Sequence, residues 1–542
     1  MDLIERARQW ADSDPEESHR RAVHQLIDRG DTGELDELFT GRLAFGTAGL
    51  RAPLGPGPNR MNRLVVRQTT AGLLRWMAGK GFNRPRIVIG YDARHGSHDF
   101  ATEAAETIGS AGGEAILADA VVPTPVLAYA ILIHEADAGI MITASHNPPA
   151  DNGYKLYLGD GIQIIPPADG EIAAAIDEIA AGAKPTRFDS PADAHCLPAR
   201  RWIVAHREAV LAHIPGPERS VRVVYTAMHG VGGAPFVTAA LEAGFERPIV
   251  VDEQLDPDPE FPTVSFPNPE EPGALDLALA LAKEHAVDAV VAHDPDADRL
   301  ALAVPSNTDG QWTPLSGDQV GVLLAHHLIA DHQAKGGGAA VVAKSLVSSQ
   351  RMEAIAADAG VDCRTTLTGF KWVARPIVEE PDAAYLLGYE EALGYCVGGV
   401  VRDKDGIGAA LVAMQMLSAL KDEGRTVWDV LDSLDQRFGA YRTHSFSHRL
   451  GEGGPTTEDI LSDVLSDPPS VGAAAVSVVD LATGGDLPPT TGVMIRYEDG
   501  SRLIVRPSGT EPKVKFYLEA VGKPDDAEQT LRKLTAVLQG RL

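Results

Sequence analysis

Cysteine is scarce in this chain of 542 residues, and the three that occur are Cys196, Cys363 and Cys396, without paired spacing. Disulfide frameworks and structural zinc sites need cysteines in pairs at short, regular intervals, so neither is expected. The rest of the composition, 44% hydrophobic and 23% charged, is that of an ordinary globular protein.

Long hydrophobic runs are also missing. The chain has no stretch of about 18 uninterrupted apolar residues, which a membrane helix would need. Its amino terminus has no basic region followed by an apolar segment, the pattern of a signal peptide. We therefore expect a cytoplasmic protein with no membrane partner.

Positive charge is in deficit, since 48 Lys and Arg stand against 76 Asp and Glu and give a net charge of −28. Non-specific binding to nucleic acid or to anionic lipid needs a basic face that displaces counterions, so the charge argues against both partners. A small molecule is the expected partner. If it carries phosphate, local cations, helix amino termini or a metal ion must overcome the negative field of the protein.

The length predicts several domains. After a charged helical extension, strand and helix patterns alternate from about Arg86, and this alternation favours mostly parallel sheets covered by helices. From about Tyr441 the pattern changes to alternating strands and one closing helix, which is typical of a smaller α+β unit. The prediction is an α/β protein of four domains, at residues 1–205, 206–325, 326–440 and 441–542.

The most informative segment runs from Thr143 to Lys155 and reads Thr-Ala-Ser-His-Asn-Pro-Pro-Ala-Asp-Asn-Gly-Tyr-Lys. An apolar strand ends at Thr143, and Asn-Pro-Pro then prevents a helix and fixes a loop. Ser145 therefore stands at the carboxyl end of a strand, where ligands bind in open α/β sheets. A turn or N-cap serine is the ordinary alternative. Lys155, on a predicted turn that can fold back, favours an activated nucleophile instead.

Three aspartates, Asp294, Asp296 and Asp298, follow another apolar strand and precede Arg299. Carboxylates two residues apart at a strand end can converge on one hard cation. An EF-hand is excluded because its sixth and twelfth positions hold Arg299 and Pro305. Mg²⁺ is the predicted ion, because it binds few carboxylates and shares its other positions with substrate phosphate. A solvated acidic turn is the alternative.

Two further loops carry suitable polar groups. Residues 388–394 read Gly-Tyr-Glu-Glu-Ala-Leu-Gly, and the two adjacent glutamates can accept hydrogen bonds from sugar hydroxyls, although adjacent glutamates also begin helices. Residues 506–513 read Arg-Pro-Ser-Gly-Thr-Glu-Pro-Lys. The segment combines a guanidinium, two hydroxyls and a glycine-containing turn, which are the groups that a phosphate site requires. A tight turn with a capping serine is the alternative. Arg51, two residues after Gly49, and Lys371, in a predicted turn two residues after Gly369, are candidate supporting residues, with a purely structural role as the alternative for each.

These four motifs, in this order and on successive domains, resemble those of the α-D-phosphohexomutase superfamily, which contains phosphoglucomutases and phosphomannomutases. The resemblance covers nearly the whole chain. It implies four domains around one central cleft, the first three α/β and the last smaller. It also implies a mutase that interconverts the 1- and 6-phosphates of glucose or mannose through a phosphoserine and a sugar 1,6-bisphosphate.

The resemblance further implies a role for each candidate residue. Ser145 would be the phosphoserine and would hold Mg²⁺ together with the three aspartates, and Glu390 would contact sugar hydroxyls. Lys155 and His146 are both candidates for the general acid or base. The non-reacting phosphate would be bound by Arg506, Ser508, Gly509 and Thr510, and the cleft cations would be Arg51, Lys155, Arg299 and Lys371.

The loop around Glu390 departs from the common family pattern Gly-Glu-x-Ser, because Tyr389 precedes the glutamate and Ala392 stands in place of the serine. This form resembles the branch that includes phosphopentomutases, so a mutase of pentose 1- and 5-phosphates is the alternative. A haloacid-dehalogenase-type phosphatase with Asp294 as nucleophile is more distant, since its motif has Thr or Val where Asp298 stands. A sugar-phosphate sensor would need neither Ser145 nor the acidic triad.

Overall fold

The computed structural model describes residues 2–46, 49–189, 193–451, 453–508 and 512–542. Two residues of the predicted phosphate site, Gly509 and Thr510, therefore lie outside the described residues. The chain divides into two compact units. Unit 1 comprises Met1–Leu315, Ile377–Glu379 and Leu393–Ser418, and unit 2 comprises Ser316–Pro376, Glu380–Ala392 and Ala419–Leu542.

The strands of the described chain alternate with helices over most of its length. They are β1 (Leu50–Pro53), β2 (Arg86–Tyr91), β3 (Glu114–Ala118), β4 (Ala138–Ile142), β5 (Asp151–Leu158), β6 (Asp193–Leu197), β7 (Val223–Thr226), β8 (Ile249–Val250), β9 (Ala289–Ala292), β10 (Ala301–Pro305), β11 (Trp312–Pro314), β12 (Ala340–Ser345), β13 (Asp362–Thr366), β14 (Ala384–Glu390), β15 (Gly394–Val397), β16 (Ala440–Arg449), β17 (Ala475–Asp480), β18 (Val493–Tyr497), β19 (Arg502–Pro507) and β20 (Lys513–Gly522).

The helices are α1 (Leu3–Ser13), α2 (Glu17–Arg29), α3 (Thr32–Phe39), α4 (Arg63–Gly79), α5 (Ser97–Ala111), α6 (Thr124–Ile133), α7 (Ala168–Ala180), α8 (Ala199–Leu211), α9 (Gly233–Glu242), α10 (Asp276–Glu284), α11 (Gly317–Ala334), α12 (Arg351–Ala359), α13 (Phe370–Val373), α14 (Pro376–Glu379), α15 (Gly406–Asp422), α16 (Val427–Phe438), α17 (Thr457–Ser466) and α18 (Pro524–Arg541), with a 3₁₀ turn at Asp252–Gln254. Along the described chain no helix is both long and apolar enough to cross a membrane.

The first sheet of unit 1 has the order β1-β5-β4-β2-β3-β6. Strands β2, β3 and β4 are parallel and are joined by α5 and α6, while β5 returns antiparallel to β4. Strands β2 and β4 are buried along almost their whole length, as expected for a sheet covered by helices on both faces. The loop between β4 and β5 carries Ser145.

The second sheet of unit 1 repeats this arrangement in the order β11-β10-β9-β7-β8. Strands β7, β8 and β9 are parallel, α9 and α10 lie between them in the chain, and β10 returns antiparallel to β9. The loop between β9 and β10 carries the three aspartates. The serine and the acidic triad therefore occupy the same topological position, each at the carboxyl end of the parallel strand that pairs with the returning antiparallel strand.

Unit 2 contains parallel strands in the order β13-β12-β14 and an antiparallel sheet in the order β16-β20-β19-β18-β17. The prediction of three α/β domains and a smaller α+β domain is confirmed, and the common strand orders β3-β2-β4, β8-β7-β9 and β13-β12-β14 show that the three α/β domains are related in fold. Helix α11 begins with a capping box of Ser316 and Gln319, and α18 packs on β16 and β20.

Two local predictions were wrong. Lys155 lies within β5 and not on a turn, because Asp151 to Leu158 pair with neighbouring strands on both sides. Lys371 lies in the short helix α13 and not in a turn. The charged amino-terminal extension is helical, as predicted, and α1 to α3 pack around a small core of their own.

Candidate active site

Ser145 is held in a strained backbone conformation at the end of β4. Its φ of 52° lies in the left-handed region, which non-glycine residues adopt rarely and mostly at functional sites. The side chain of Thr143 accepts a hydrogen bond from the Ser145 amide at 2.8 Å and donates one to Asp92 Oδ2 at 2.6 Å. The serine is only 2% exposed, so its hydroxyl has a fixed position.

Arg94 fixes the rest of this loop. Its buried guanidinium donates to the carbonyl oxygens of Ser145 and Asn147 at 2.6 Å each, of Pro148 at 2.8 Å and of Asp151 at 3.2 Å. The same group stacks on Phe261, with the guanidinium carbon 4.9 Å from the ring centroid. A planar fork of donors suits this task, whereas a lysine ammonium has fewer donors and no fixed plane.

The three aspartates meet in one buried cluster after β9. Asp294, Asp296 and Asp298 are each at most 1% exposed, and each offers a carboxylate oxygen within 4.8 Å of the other two. Ala297 between them has a φ of 55°, a second left-handed residue that turns the loop. Ser145 Oγ donates to Asp294 Oδ2 at 2.9 Å, so the serine and the triad form one site within unit 1.

Two lysines and a threonine bind the triad. Lys155 Nζ lies 2.7 Å from Asp296 Oδ2 and 3.0 Å from Asp298 Oδ2. Lys404 Nζ lies 3.1 Å from Asp298 Oδ2, and Thr124 Oγ1 donates to Asp296 Oδ2 at 2.6 Å. The cluster of negative charge is thus opposed by local cations, despite the net charge of −28.

The electrostatics of the triad suit a bound cation. Burial raises the pKa of Asp294 well above its usual range, and the charges of Asp296 and Asp298 raise it further. Burial would also raise the pKa of Asp296 and of Asp298, but Lys155 and the other nearby donors outweigh burial and hold both pKa values low. Asp296 Oδ1 and Asp298 Oδ1 are buried and accept no hydrogen bond from any described residue. A hard cation would satisfy these two oxygens.

His146 is a second residue in contact with the serine hydroxyl. Its Nδ1 is 3.1 Å from Ser145 Oγ, and its Nε2 is 3.5 Å from Arg299 Nη2. Burial lowers the pKa of His146 well below its usual value, and the nearby charges of Arg299 and Arg51 lower it further. The imidazole is therefore neutral and can accept a proton. Arg299 forms a salt bridge with Glu270, with 3.0 Å between Nη1 and Oε2.

The remaining predicted residues have separate positions. Arg51 lies on β1, paired with Gly153 of β5, and so belongs to unit 1. In unit 2, Glu390 ends β14 and accepts a hydrogen bond from the Gly369 amide at 2.7 Å, at the turn that leads into Lys371. Arg506 ends β19 with Pro507, and the Ser508 amide donates to the Lys513 carbonyl at 2.8 Å.

Three residues at this site were missed by the sequence analysis: Arg94, Thr124 and Lys404. Arg94 has a recognisable signal, because Asp-Ala-Arg follows β2 at the same sheet edge as Ser145. Thr124 begins α6 after a Pro and gives no comparable signal. Lys404 lies between Asp403 and Asp405, where a lysine is ordinarily interpreted as a surface ion pair.

Comparison with known proteins gives a consistent result along the chain. The alpha/beta/alpha domains I, II and III of phosphoglucomutase/phosphomannomutase match residues 42–183, 205–307 and 316–438, and the C-terminal domain matches residues 469–536. The probable phosphomannomutase of Haemophilus influenzae is 43% identical over 486 residues, which cover 87% of this chain and 95% of that protein.

Two further similarities extend this picture. The probable phosphoribomutase of Schizosaccharomyces pombe is 36% identical over 577 residues, covering 99% of this chain and 96% of that protein. The crystal structure of a putative phosphomannomutase from Thermus thermophilus matches with a TM-score of 0.70 at 22% identity, covering 92% of this chain and 99% of that one. At 22% identity, the similarity to the Thermus thermophilus structure is evidence for the fold alone.

Proposed function

The chain belongs to the phosphoglucomutase/phosphomannomutase family and is a phosphosugar mutase, and we propose that it interconverts the 1- and 6-phosphates of glucose, mannose or both. The proposed route uses phosphorylated Ser145 and a sugar 1,6-bisphosphate, which also serves as activator. We assign the four domains to residues 1–205, 206–325, 326–440 and 441–542.

One observation carries the proposal: the hydroxyl of the strained, buried Ser145 lies 2.9 Å from Asp294, and two carboxylate oxygens of the triad accept no hydrogen bond from the described part of the chain. A phosphoryl group on this serine would stand next to a cation held by Asp294, Asp296 and Asp298. Mg²⁺ suits this donor set of hard oxygens, and when bound it would supply positive charge to the phosphoryl oxygens.

The residues around Ser145 have different roles in phosphoryl transfer. Phosphoryl transfer has a loose transition state, so catalysis depends on in-line positioning and on neutralising charge. Arg94 and Thr143 hold the serine loop, while Lys155 and Arg299 contribute fixed positive charge. Ser145 gives its phosphoryl group to the free hydroxyl of a sugar monophosphate, and the resulting bisphosphate returns its other phosphoryl group to Ser145.

Proton transfer is assigned to His146 in the arrangement described. It is neutral and lies 3.1 Å from Ser145 Oγ, so it can accept the serine proton when Ser145 attacks the bisphosphate and give it back to Oγ when phosphoserine loses its phosphoryl group. Burial disfavours the charged form of Lys155, but Asp296 and Asp298 outweigh burial and raise its pKa. Lys155 is therefore charged and serves as a cation.

In unit 2 we assign binding of the sugar hydroxyls to Glu390 and Lys371. We assign binding of the non-reacting phosphate to Arg506, Ser508, Gly509 and Thr510.

The Ser145→Ala variant tests the mechanism. Intact-mass analysis of the wild-type protein should show a fraction with one additional phosphate, and peptide mapping should assign it to Ser145. The variant should lack both this mass and mutase turnover when glucose 1,6-bisphosphate is present. Full turnover by the variant under these conditions would exclude the phosphoserine route.

Substrate choice is tested by comparing kcat/KM for glucose 1-phosphate, mannose 1-phosphate and ribose 1-phosphate. The hexose proposal is supported by the 43% identical relative named as a probable phosphomannomutase. We expect a hexose phosphate to give the largest kcat/KM. A larger value for ribose 1-phosphate would replace the proposal with a pentose mutase, the activity named for the Schizosaccharomyces pombe relative.

A further inference from the structure

A loop of three buried serines in unit 2 has no part in the proposed chemistry. This serine loop, Ser345–Gln350, joins β12 to α12. Ser345 and Ser348 are fully buried and Ser349 is 2% exposed, although serine is mostly a surface residue. Buried hydroxyls need hydrogen-bond partners, and these partners lie on two different elements.

The first partner is the sugar loop, Tyr389–Ala392, which contains the proposed sugar ligand Glu390. Ser348 Oγ donates to Glu391 Oε2 at 3.0 Å, and Ser345 Oγ lies 3.2 Å from the same oxygen. In return the Glu391 amide donates to Ser348 Oγ at 3.1 Å. Glu391 is thereby fixed at both its backbone and its side chain, next to Glu390.

A second connection to the sugar loop runs through Asp318, at the start of α11. Asp318 Oδ1 accepts from the Ser349 amide at 2.7 Å and from the Tyr389 hydroxyl at 3.0 Å. Tyr389 is fully buried against Gly321, where a Cβ atom would lie 2.4 Å from its ring. The residues on both sides of Glu390 are therefore linked to the serine loop, Glu391 directly and Tyr389 through Asp318.

The other partner is the carboxy-terminal antiparallel sheet. Glu519 of β20 accepts from Ser349 Oγ at 2.5 Å and from the Gln350 amide at 3.0 Å. Arg502 of β19 donates to the Leu346 and Ser348 carbonyl oxygens, at 2.7 Å each. Both residues are 3% exposed, and Arg502 Nη2 lies 3.3 Å from Glu519 Oε2. Leu346 and Val347 add an apolar contact with Leu481 and Ile504 of the same sheet region.

We propose that Glu391 is a positioning residue for Glu390, and that the serine loop couples the sugar loop to the carboxy-terminal sheet through Ser349, Glu519 and Arg502. The inference rests on the proposed function for its effect on catalysis. A buried, fully bonded network has few alternative arrangements, so a shift of β19 and β20 must be shared by the serine loop and by Glu391.

Steady-state kinetics of Glu391→Gln and Ser348→Ala test the positioning role. Loss of a hydrogen bond to a charged group should raise KM for the preferred sugar phosphate about tenfold and leave kcat within about twofold. Phosphorylation of Ser145 should be unchanged. Matched controls in unit 2 are Glu380→Gln, which removes an exposed pair with Arg364, and Ser433→Ala, which removes a local helix bond.

A purely structural role would give a different result. A variant that only lowers the folded fraction loses kcat and keeps the KM of the wild-type enzyme. An unchanged KM in both Glu391→Gln and Ser348→Ala would therefore overturn the assignment of Glu391 as a positioning residue.

Hydrogen–deuterium exchange tests the coupling without any activity measurement. In Ser349→Ala and in Glu519→Gln, we expect exchange to be about fivefold faster both in residues 346–350 and in residues 389–392, because the two loops open together. Faster exchange confined to residues 346–350 would overturn the coupling. Absence of mutase activity in the wild-type protein would instead refute the proposed function, and the exchange result would still decide the coupling.

Discussion

The Arg94 guanidinium donates a hydrogen bond to the carbonyl oxygen of Ser145 at 2.6 Å, directly across the loop that presents the serine hydroxyl to Asp294. The two residues are 51 positions apart in the sequence, and each follows a parallel strand of the same sheet. Because Arg94 also binds three other carbonyl oxygens of this loop, it determines where Ser145 Oγ lies.

Replacing Arg94 with lysine should impair catalysis while keeping the charge. Lysine cannot donate to four carbonyl oxygens from one plane, so the serine loop should relax and Ser145 Oγ should move from its position beside Asp294. A displacement of about 1 Å at a reacting atom can cost about 100-fold in rate, and we expect a fall in kcat of that order. The measurement is mutase turnover together with the phosphorylated fraction from intact mass.

Arg219 offers a matched control for this substitution. It stacks on Phe245 at 5.0 Å and donates to the Ala243 carbonyl oxygen at 2.7 Å, as Arg94 stacks on Phe261 and binds carbonyl oxygens. Arg219→Lys should keep kcat within about twofold, because its contacts among the described residues include none of the proposed site. Equal kcat values for Arg94→Lys and Arg219→Lys would contradict the role given to Arg94.

Mg²⁺ should stabilise the protein through the acidic triad. A bound cation would reduce the repulsion among the three buried carboxylates and so stabilise the folded state. A ligand that binds only the folded state raises the free energy of unfolding by about 2.7 kcal/mol at a ligand concentration of 100 times Kd. We expect the melting temperature to rise by several degrees with Mg²⁺ and to return to its starting value with EDTA. Differential scanning calorimetry would measure both changes.

The triad variant Asp298→Asn should show a much smaller Mg²⁺-dependent shift. Asp309→Asn is the control, because Asp309 is exposed and accepts only a local bond from the Gln311 amide among the contacts described. Its shift should equal that of the wild-type protein. If Asp298→Asn kept the full Mg²⁺-dependent rise in melting temperature, the cation would bind at a site other than the acidic triad.

The sequence predicted those parts of the site that follow the carboxyl ends of strands. Ser145 after β4 and the aspartates after β9 could be located because apolar runs give the strands and polar residues give the loops. That the two loops meet could not be derived from patterns alone, since the 2.9 Å contact depends on how two sheets pack.

Most of the contacts that could not be predicted from the sequence depend on strand register. Lys155 reaches the triad because β5 pairs antiparallel with β4 and places Lys155 opposite Met141, and no local pattern specifies that pairing. The same limit applies to Glu391 and Ser348, whose contact joins a loop after β12 to one after β14. Their sequence neighbourhoods are ordinary for a first helical turn and for a polar loop.

Asp318 should make stability pH-dependent between about pH 4 and pH 6. Burial raises the pKa of Asp318 to about 6, and the charges of Glu519 and Glu391 contribute to the rise. The folded state therefore holds this proton more tightly than the unfolded chain, so its contribution is present below about pH 4 and is lost as pH rises through about 6. The loss is about 3 kcal/mol, at 1.36 kcal/mol for each pKa unit.

The Asp318→Asn variant isolates this contribution. Asparagine stays neutral, so its melting temperature relative to the wild-type protein should increase between pH 4 and pH 7. Asp382→Asn, at an exposed loop position of unit 2, should show no such trend. A constant difference between Asp318→Asn and the wild-type protein across this range would mean that Asp318 is ionised at all these pH values.

Gly230 should be required for the shape of the triad loop. A Cβ atom at this position would lie 2.4 Å from Pro295 Cα, a backbone contact that no rotamer change can relieve. Gly230→Ala should therefore push Pro295 and its neighbours Asp294 and Asp296 away from Ser145. We expect a loss of kcat/KM of about 100-fold and weaker apparent Mg²⁺ affinity, both measured in Mg²⁺ titrations of turnover.

Gly170 in α7 provides the opposite case. A Cβ atom there meets no described atom within 4 Å, and the residue lies inside a helix, where alanine is preferred to glycine by up to about 1 kcal/mol. Gly170→Ala should raise the melting temperature slightly and leave Mg²⁺ affinity unchanged. If Gly230→Ala behaved like Gly170→Ala, the triad loop would tolerate displacement, and the fixed distance between Asp294 and Ser145 could not be what controls the rate.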